Sequence, residues 1–151
     1  MQNSKTNSEK RVSHRVHKEH KGIYMNENEI SEIIIECAIR VHKKLGPGLL
    51  ESVYEKALAY ELRKKEFEVK EQLSIPIKYE NIIFNEGFRA DLIVNNKVIV
   101  ELKSIKDFEN IHFKILLTYL RVSSLKLGLL INFNKELLKD GIKRVINGII
   151  E

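Results

Sequence analysis

The sequence predicts an α/β (α+β) fold: a mixed four-stranded sheet, three strands in an antiparallel meander and a fourth after a crossover helix, flanked by helices. Three observations carry this. Apolar residues recur at helical spacing as far as about Lys65. From Phe67 the pattern becomes alternation, broken by turn residues. A further helical stretch then leads into Leu127-Gly128-Leu129-Leu130-Ile131, a run apolar enough to be covered on both faces.

The first helix runs from Glu27 to about Leu45. Asn26 and Glu29 resemble a capping box, and Ile30, Ile33, Ile34, Cys37, Ala38, Val41 and Leu45 make the apolar stripe. The lone cysteine, Cys37, excludes an internal disulfide, and its place on the stripe predicts a buried, inert thiol. His42, beside the stripe, reads as a capping or partly buried structural histidine. Gly46-Pro47-Gly48 stops the helix, since glycine accepts the left-handed cap and proline cannot continue the ladder. Leu49 to about Lys65 forms the second helix, with Leu50, Val53, Ala57 and Leu58 as the candidates to face inward. Glu51, Tyr54 and Glu55 share one of its faces. Glu51, in the first turn, suits the helix dipole; Glu55 reads as a surface acid.

Strand one covers Val69 to Tyr79, with Pro76 marking an edge or a bend. The chain returns from Ile82, is interrupted at Asn85-Glu86-Gly87, and continues as Phe88 to Val94; Val98 to Lys103 is the third strand. Asp107 to about Ser123 is the crossover helix, with Ile111, Ile115, Tyr119 and Val122 along one side and Leu116 and Leu120 beside them. After the strand at 126–132, Leu137 to Ile150 reads as a helix or an irregular segment.

With 151 residues, 43% hydrophobic and 31% charged, the chain has the composition of a globular domain with a real core. No apolar run approaches the roughly 20 residues of a membrane span, and no signal-peptide h-region is seen, so the expected location is the cytoplasm. The net charge of +5 is local: residues 1–25 hold six Lys or Arg against two Glu, leaving the remainder near neutral. The expected organisation is a basic, disordered tail over 1–25 and one domain over 26–151. His14, His17 and His20 in the tail are spaced for a metal-binding helix face, but almost nothing apolar there would hold a helix.

The chemistry concentrates in the hairpin from Asp91 to Lys103. Glu101 and Lys103 share one strand face. A two-residue loop at Asn95-Asn96 would pair Asp91 with Val100 and put it on the other face. A three-residue loop, Asn95 to Lys97, or a nearby bulge, pairs Asp91 with Glu101. The longer loop or a bulge is the expectation, with a cation between the two carboxylates. Carboxylate oxygens are the ligands Mg²⁺ prefers, and a metal so held supplies hydroxide and stabilises charge on a phosphodiester. Lys103 is placed to orient the water or stabilise the developing charge. The plainer reading also stands: Glu101 and Lys103 as a same-face ion pair, Asp91 as a turn acid, Glu51 as a helix-start charge.

The segment Gly48-Leu49-Leu50-Glu51-Ser52-Val53-Tyr54 resembles the signature of the GxxExxY proteins of the PD-(D/E)XK nuclease-like superfamily. The resemblance runs from about Glu27 to Asn147 and takes in Leu45-Gly46-Pro47-Gly48, Arg89-Ala90-Asp91, Glu101-Leu102-Lys103, Leu117-Thr118-Tyr119-Leu120 and the stretch Gly128 to Phe133. It implies a restriction-endonuclease-like core. It also implies an active site in which Asp91, Glu101 and Glu51 hold Mg²⁺ or Mn²⁺ and Lys103 acts on the attacking water. Tyr54 and Tyr119 are the candidate substrate-side residues. One position departs, because Ile115 stands where the family usually carries glutamine.

Two functions are expected. The first is a Mg²⁺-dependent nuclease hydrolysing DNA, or less readily RNA. The second is a catalytically weak or inactive module on the same fold that binds nucleic acid or a protein partner; Ile115 and the near-neutral core favour it. A homodimer is compatible with either.

Overall fold

Asn26 starts the first helix as expected, its Oδ1 accepting the Glu29 amide at 2.9 Å in the computed structural model, which describes residues 24–151. The expected tail, with its three histidines, lies outside the described residues except for Tyr24 and Met25. Helix α1 (Glu27–Leu45) ends at Gly46, whose positive φ of 72° favours glycine and whose amide donates to His42 O. Next come α2 (Glu51–Lys64), β1 (Val69–Tyr79), β2 (Ile82–Val94), β3 (Val98–Lys103), α3 (Asn110–Ser123), β4 (Leu127–Asn132), a 3-10 turn (Leu138–Gly141) and β5 (Ile142–Ile146).

The sheet order is β1-β2-β3-β4-β5. β1, β2 and β3 form the antiparallel meander, β4 lies parallel to β3, and β5 runs antiparallel to β4. The parallel pair results from the crossover through α3. β3 and β4 are the central strands, and their residues are buried apart from half-buried Lys103. The fold class is the one expected, with one strand more. Where a carboxy-terminal helix or irregular segment was predicted, Ile142–Ile146 pairs along β4 and closes its free edge. Ile142 packs with one core cluster and Val145 with the other, which are opposite faces of a strand. Their spacing of three reads as helical only when the backbone is unknown.

The two clusters occupy the two sheet faces. Ile30, Ile34, Leu58 and Leu62 of α1 and α2 pack against Leu92, Val94, Val100 and Leu102 on one side. Leu116 and Leu120 of α3 cover Ile93, Ile99 and Leu130 on the other. Gly128 of β4 makes room for α3, since a Cβ there would stand 2.8 Å from the Leu116 side chain. Ile111, Ile115 and Val122 of α3 are left exposed. Cys37 is buried, as expected, and burial pushes its thiol up from the ordinary range. His42 is also buried, and its Nε2 hydrogen-bonds Lys135 O at 2.7 Å, tying α1 to the segment after β4. Among the described residues no helix is long and apolar enough to cross a membrane.

Helix α2 is turned relative to the expectation. Leu50 and Val53 are 74% and 41% exposed, and the buried face is Tyr54, Glu55, Leu58, Ala59, Glu61 and Leu62. The reason is Tyr54. Its ring stacks on Phe133 at 4.3 Å between centroids, and its hydroxyl donates to Gly46 O at 2.6 Å and accepts the Leu49 amide at 3.0 Å. Both turn groups are thereby satisfied, and a buried Tyr hydroxyl finds its partners. This side chain locks the Gly46-Pro47-Gly48 turn and fixes where α2 begins. Ion pairs also tie α2 to β1: Glu71 holds Lys56 at 2.9 Å and Arg63 at 3.1 Å.

Candidate active site

The hairpin loop is the three-residue one. Val94 pairs with Val98, Ile93 with Ile99 and Leu92 with Val100, so the next position sets Asp91 against Glu101. Asn95 and Asn96 take the positive φ values of 51° and 53° that this turn needs, a conformation asparagine tolerates better than most residues. Pairing between β2 and β3 stops there, because β2 continues beside β1 alone. At this fork the side chains replace the ladder. The Leu102 amide donates to Asp91 Oδ2 at 2.9 Å, and the Asp91 amide donates to Glu101 Oε1 at 3.4 Å.

The electrostatics of the pair are those of two acids with too little water. Burial, then the Asp91 charge and a hydrogen bond from one carboxyl to the other, pushes the Glu101 carboxyl from the ordinary 4.5 to about 8. Near neutral pH the pair retains a proton where full ionisation would put two charges together. A divalent cation relieves that same repulsion, and hard carboxylate oxygens are its preferred donors, so the residues present fit such a metal.

The raised Glu101 value has a measurable consequence. Below about 4.5 the carboxyl is protonated in both the folded and the unfolded chain. As pH rises, the unfolded chain gives up the proton first, and the folded chain holds it until about 8. Metal-free stability is therefore expected to fall across that window and to level off above it. Thermal unfolding followed from pH 4.5 to 9 checks this. Glu101→Gln should flatten this component of the profile, and added Mg²⁺ should raise the unfolding temperature most near the upper end.

Lys103 is half-buried on the face of Glu101. Its backbone is held by the Phe133 amide donating to Lys103 O at 2.9 Å. The fully buried Asn132 fixes the loop after β3, its Oδ1 accepting the Ile105 and Asn134 amides and its Nδ2 donating to Ile105 O. The Lys103 ammonium makes no hydrogen bond or ion pair with another described residue. It borders a cavity of about 110 Å³ together with Glu101, His112, Ile115, Leu116, Tyr119 and Leu130. Tyr119 is half-buried and stacks on Phe88 at 4.0 Å. Burial, then Glu101 and Asp91, pushes its phenol up. His112 was not singled out by the sequence. Its Nδ1 accepts the Glu109 amide at 2.8 Å, within the capping box that starts α3.

Helix α2 delivers its two acids differently from the expectation. Glu51 is exposed, and its Oε1 accepts the Ser104 amide at 3.0 Å, directly after Lys103. Glu55, read from the sequence as a surface acid, is 6% exposed. It accepts from Gln72 Nε2, the group that also donates to Asp91 Oδ1 at 3.1 Å. Burial, and then the Asp91 charge, holds the Glu55 carboxyl above its usual range. What the sequence missed is that Glu55 adjoins Tyr54, so the rotation that buries the tyrosine carries the acid inward. Tyr54 itself, a candidate for the substrate side, is 0% exposed with its hydroxyl committed to the turn. Among the described residues no three His, Cys, Asp or Glu side chains are gathered as a group ready to hold a metal. The closest assembly is Asp91 with Glu101, with Glu55 joined through Gln72 and Glu51 turned to the end of β3.

A helix, a forked meander bearing Asp and Glu-x-Lys, a crossover helix and a parallel strand define a restriction-endonuclease-like protein. A family model for the PD-(D/E)XK nuclease superfamily matches residues 28–145, and the chain belongs to that superfamily. No curated protein and no solved structure matches it. The superfamily points to nuclease chemistry on a nucleic acid.

Proposed function

We propose that this chain is a nuclease of the GxxExxY type that hydrolyses phosphodiester bonds of DNA, and of RNA less readily, using Mg²⁺ or Mn²⁺. The observation that carries the reading is the Asp91–Glu101 pair at the strand fork, with Glu101 held neutral by burial and by its neighbour. Asp91 and Glu101 would hold the ion, with an acid from α2, Glu51 or Glu55, contributing to its shell. When bound, such an ion lowers the pKa of water and offsets charge on the phosphate.

The residues around the pair have separate tasks. Lys103 lends its ammonium to the attacking water or to the charge that grows on the phosphate oxygens. Tyr119 and Ile115 form the wall of the cavity beside it. The basic segment 1–25 supplies sequence-independent phosphate contacts to the domain over 26–151, and binding should therefore weaken steeply with salt.

The test offers the purified chain supercoiled plasmid, linear duplex, single-stranded DNA and RNA with Mg²⁺, Mn²⁺ or EDTA, and measures Mn²⁺ binding by calorimetry. Metal-dependent cleavage that EDTA abolishes is the expected result. No cleavage of any form together with no Mn²⁺ binding sinks the reading. Nucleic-acid binding without cleavage, lost when residues 1–25 are removed, would establish the second function, a non-catalytic binding module. Ile115 on the cavity wall favours that alternative.

A further inference from the structure

Gln72 lies inside β1 with a φ of 49°, in the left-handed region, although it is not glycine and the strand continues on both sides. Its neighbours Glu71 and Leu73 pair with Leu92 and Ala90, which places Gln72 opposite Asp91. Both strands turn over at this point. Val69 and Leu92 pack on the α1 and α2 side, whereas Leu73 and Ala90, an even number of residues along the same strands, pack on the α3 side. An undisturbed strand would keep each pair on one face. A non-glycine residue held at positive φ is strained and persists only where the surroundings enforce it.

The side chain shows what that strain delivers. Gln72 Nε2 donates to Glu55 Oε1 at 2.5 Å and to Asp91 Oδ1 at 3.1 Å. Asp91 Oδ2 is already fixed by the Leu102 amide. Both oxygens of Asp91 are therefore held, which sets the plane of the carboxylate. A carboxamide suits this position because its NH₂ carries two donors and no charge. A lysine would keep a permanent cation among the acids, and a glutamate would add another like charge. Glycine would satisfy the backbone better than glutamine, so what glutamine supplies is the amide.

We propose that Gln72 is a positioning residue of the acid site: its amide sets Glu55 of α2 against Asp91 of β2 and orients the Asp91 carboxylate for a divalent ion. The inference rests on the reading of Asp91 and Glu101 as a metal-holding pair. It goes further in bringing Glu55 under the control of a third element, β1.

Two variants of the full chain separate the amide from the backbone. Gln72→Gly keeps the left-handed conformation at lower cost and removes the amide. Gln72→Met keeps the side-chain length and removes the donors. Both are titrated with Mn²⁺ by calorimetry and unfolded thermally, beside the wild type. Mn²⁺ affinity is expected to fall about 10–100-fold in both, as for loss of a group that orients a metal ligand. The unfolding temperature of the metal-free glycine variant should stay level or rise, and Gln72→Asn, which retains an amide, should recover part of the affinity. Unchanged Mn²⁺ affinity in the glycine and methionine variants overturns the role of Gln72 alone. Failure of the wild type to bind Mn²⁺ removes the metal reading and this inference with it.

Discussion

Asp91→Ala is expected to abolish metal-dependent cleavage and to weaken Mn²⁺ binding more than about 100-fold, beyond what loss of an outer partner causes. Asp91 opposes Glu101 at the fork and contributes to the elevation of its carboxyl pKa. Removing it takes away one donor and also releases the Glu101 proton at lower pH. The far-ultraviolet circular dichroism should stay native, because the apolar residues on both sheet faces are untouched. Lys103→Ala makes the informative contrast. Its loss should cost about 10²–10³ in turnover, the scale for one group that stabilises transition-state charge, with Mn²⁺ affinity nearly unchanged. Comparable loss of metal binding in both variants would contradict the division between holding the ion and acting on the water. Residual wild-type turnover in Asp91→Ala would move the chemistry elsewhere.

Tyr54→Ala is expected to lower stability by about 3–5 kcal/mol, the range for truncating a buried aromatic side chain. The ring is enclosed and stacked on Phe133, and its hydroxyl satisfies both Gly46 O and the Leu49 amide. Tyr54→Phe keeps the ring and leaves those turn groups short of a partner, a cost of about 1–3 kcal/mol. Urea unfolding measures both. Under conditions where Tyr54→Phe is fully folded, its turnover per molecule should equal that of the wild type. A large drop in turnover there, with stability intact, would return Tyr54 to the substrate side.

Much of the fold was legible because local signals agreed with tertiary packing. The first helix has its cap, its stripe and its stop in the residues themselves, and its observed span, Glu27–Leu45, is the expected one. The opposition of Asp91 and Glu101 was legible too, since period-two alternation lets the two acids share a face only with a longer loop or a bulge, and the loop is what forms. The turning of α2 was not. Leu50 and Val53 look more apolar than Tyr54 and Glu55, and only Phe133, some eighty residues on, decides which face is covered. Nor was the role of β5, because Ile142 and Val145 fit a helix until β4 offers an open edge. Gln72 gave no signal at all. Val69, Leu73, Ile75 and Ile77 alternate as one face would, and the switch between faces lies in a single backbone angle that composition does not encode.

The fork between β2 and β3 bears on how relatives of this chain should be compared. Asp91 and Glu101 each accept a backbone amide there, so the same two acids serve the architecture as well as the chemistry proposed for them. A descendant that had stopped cutting would still gain from an oxygen at 91 and at 101, and selection for folding alone could preserve them long after activity was gone. Lys103 owes nothing of that kind to the strands, since its ammonium closes no ladder bond. In a lineage of such proteins, retention of the lysine is therefore a better marker of a working enzyme than retention of the acids.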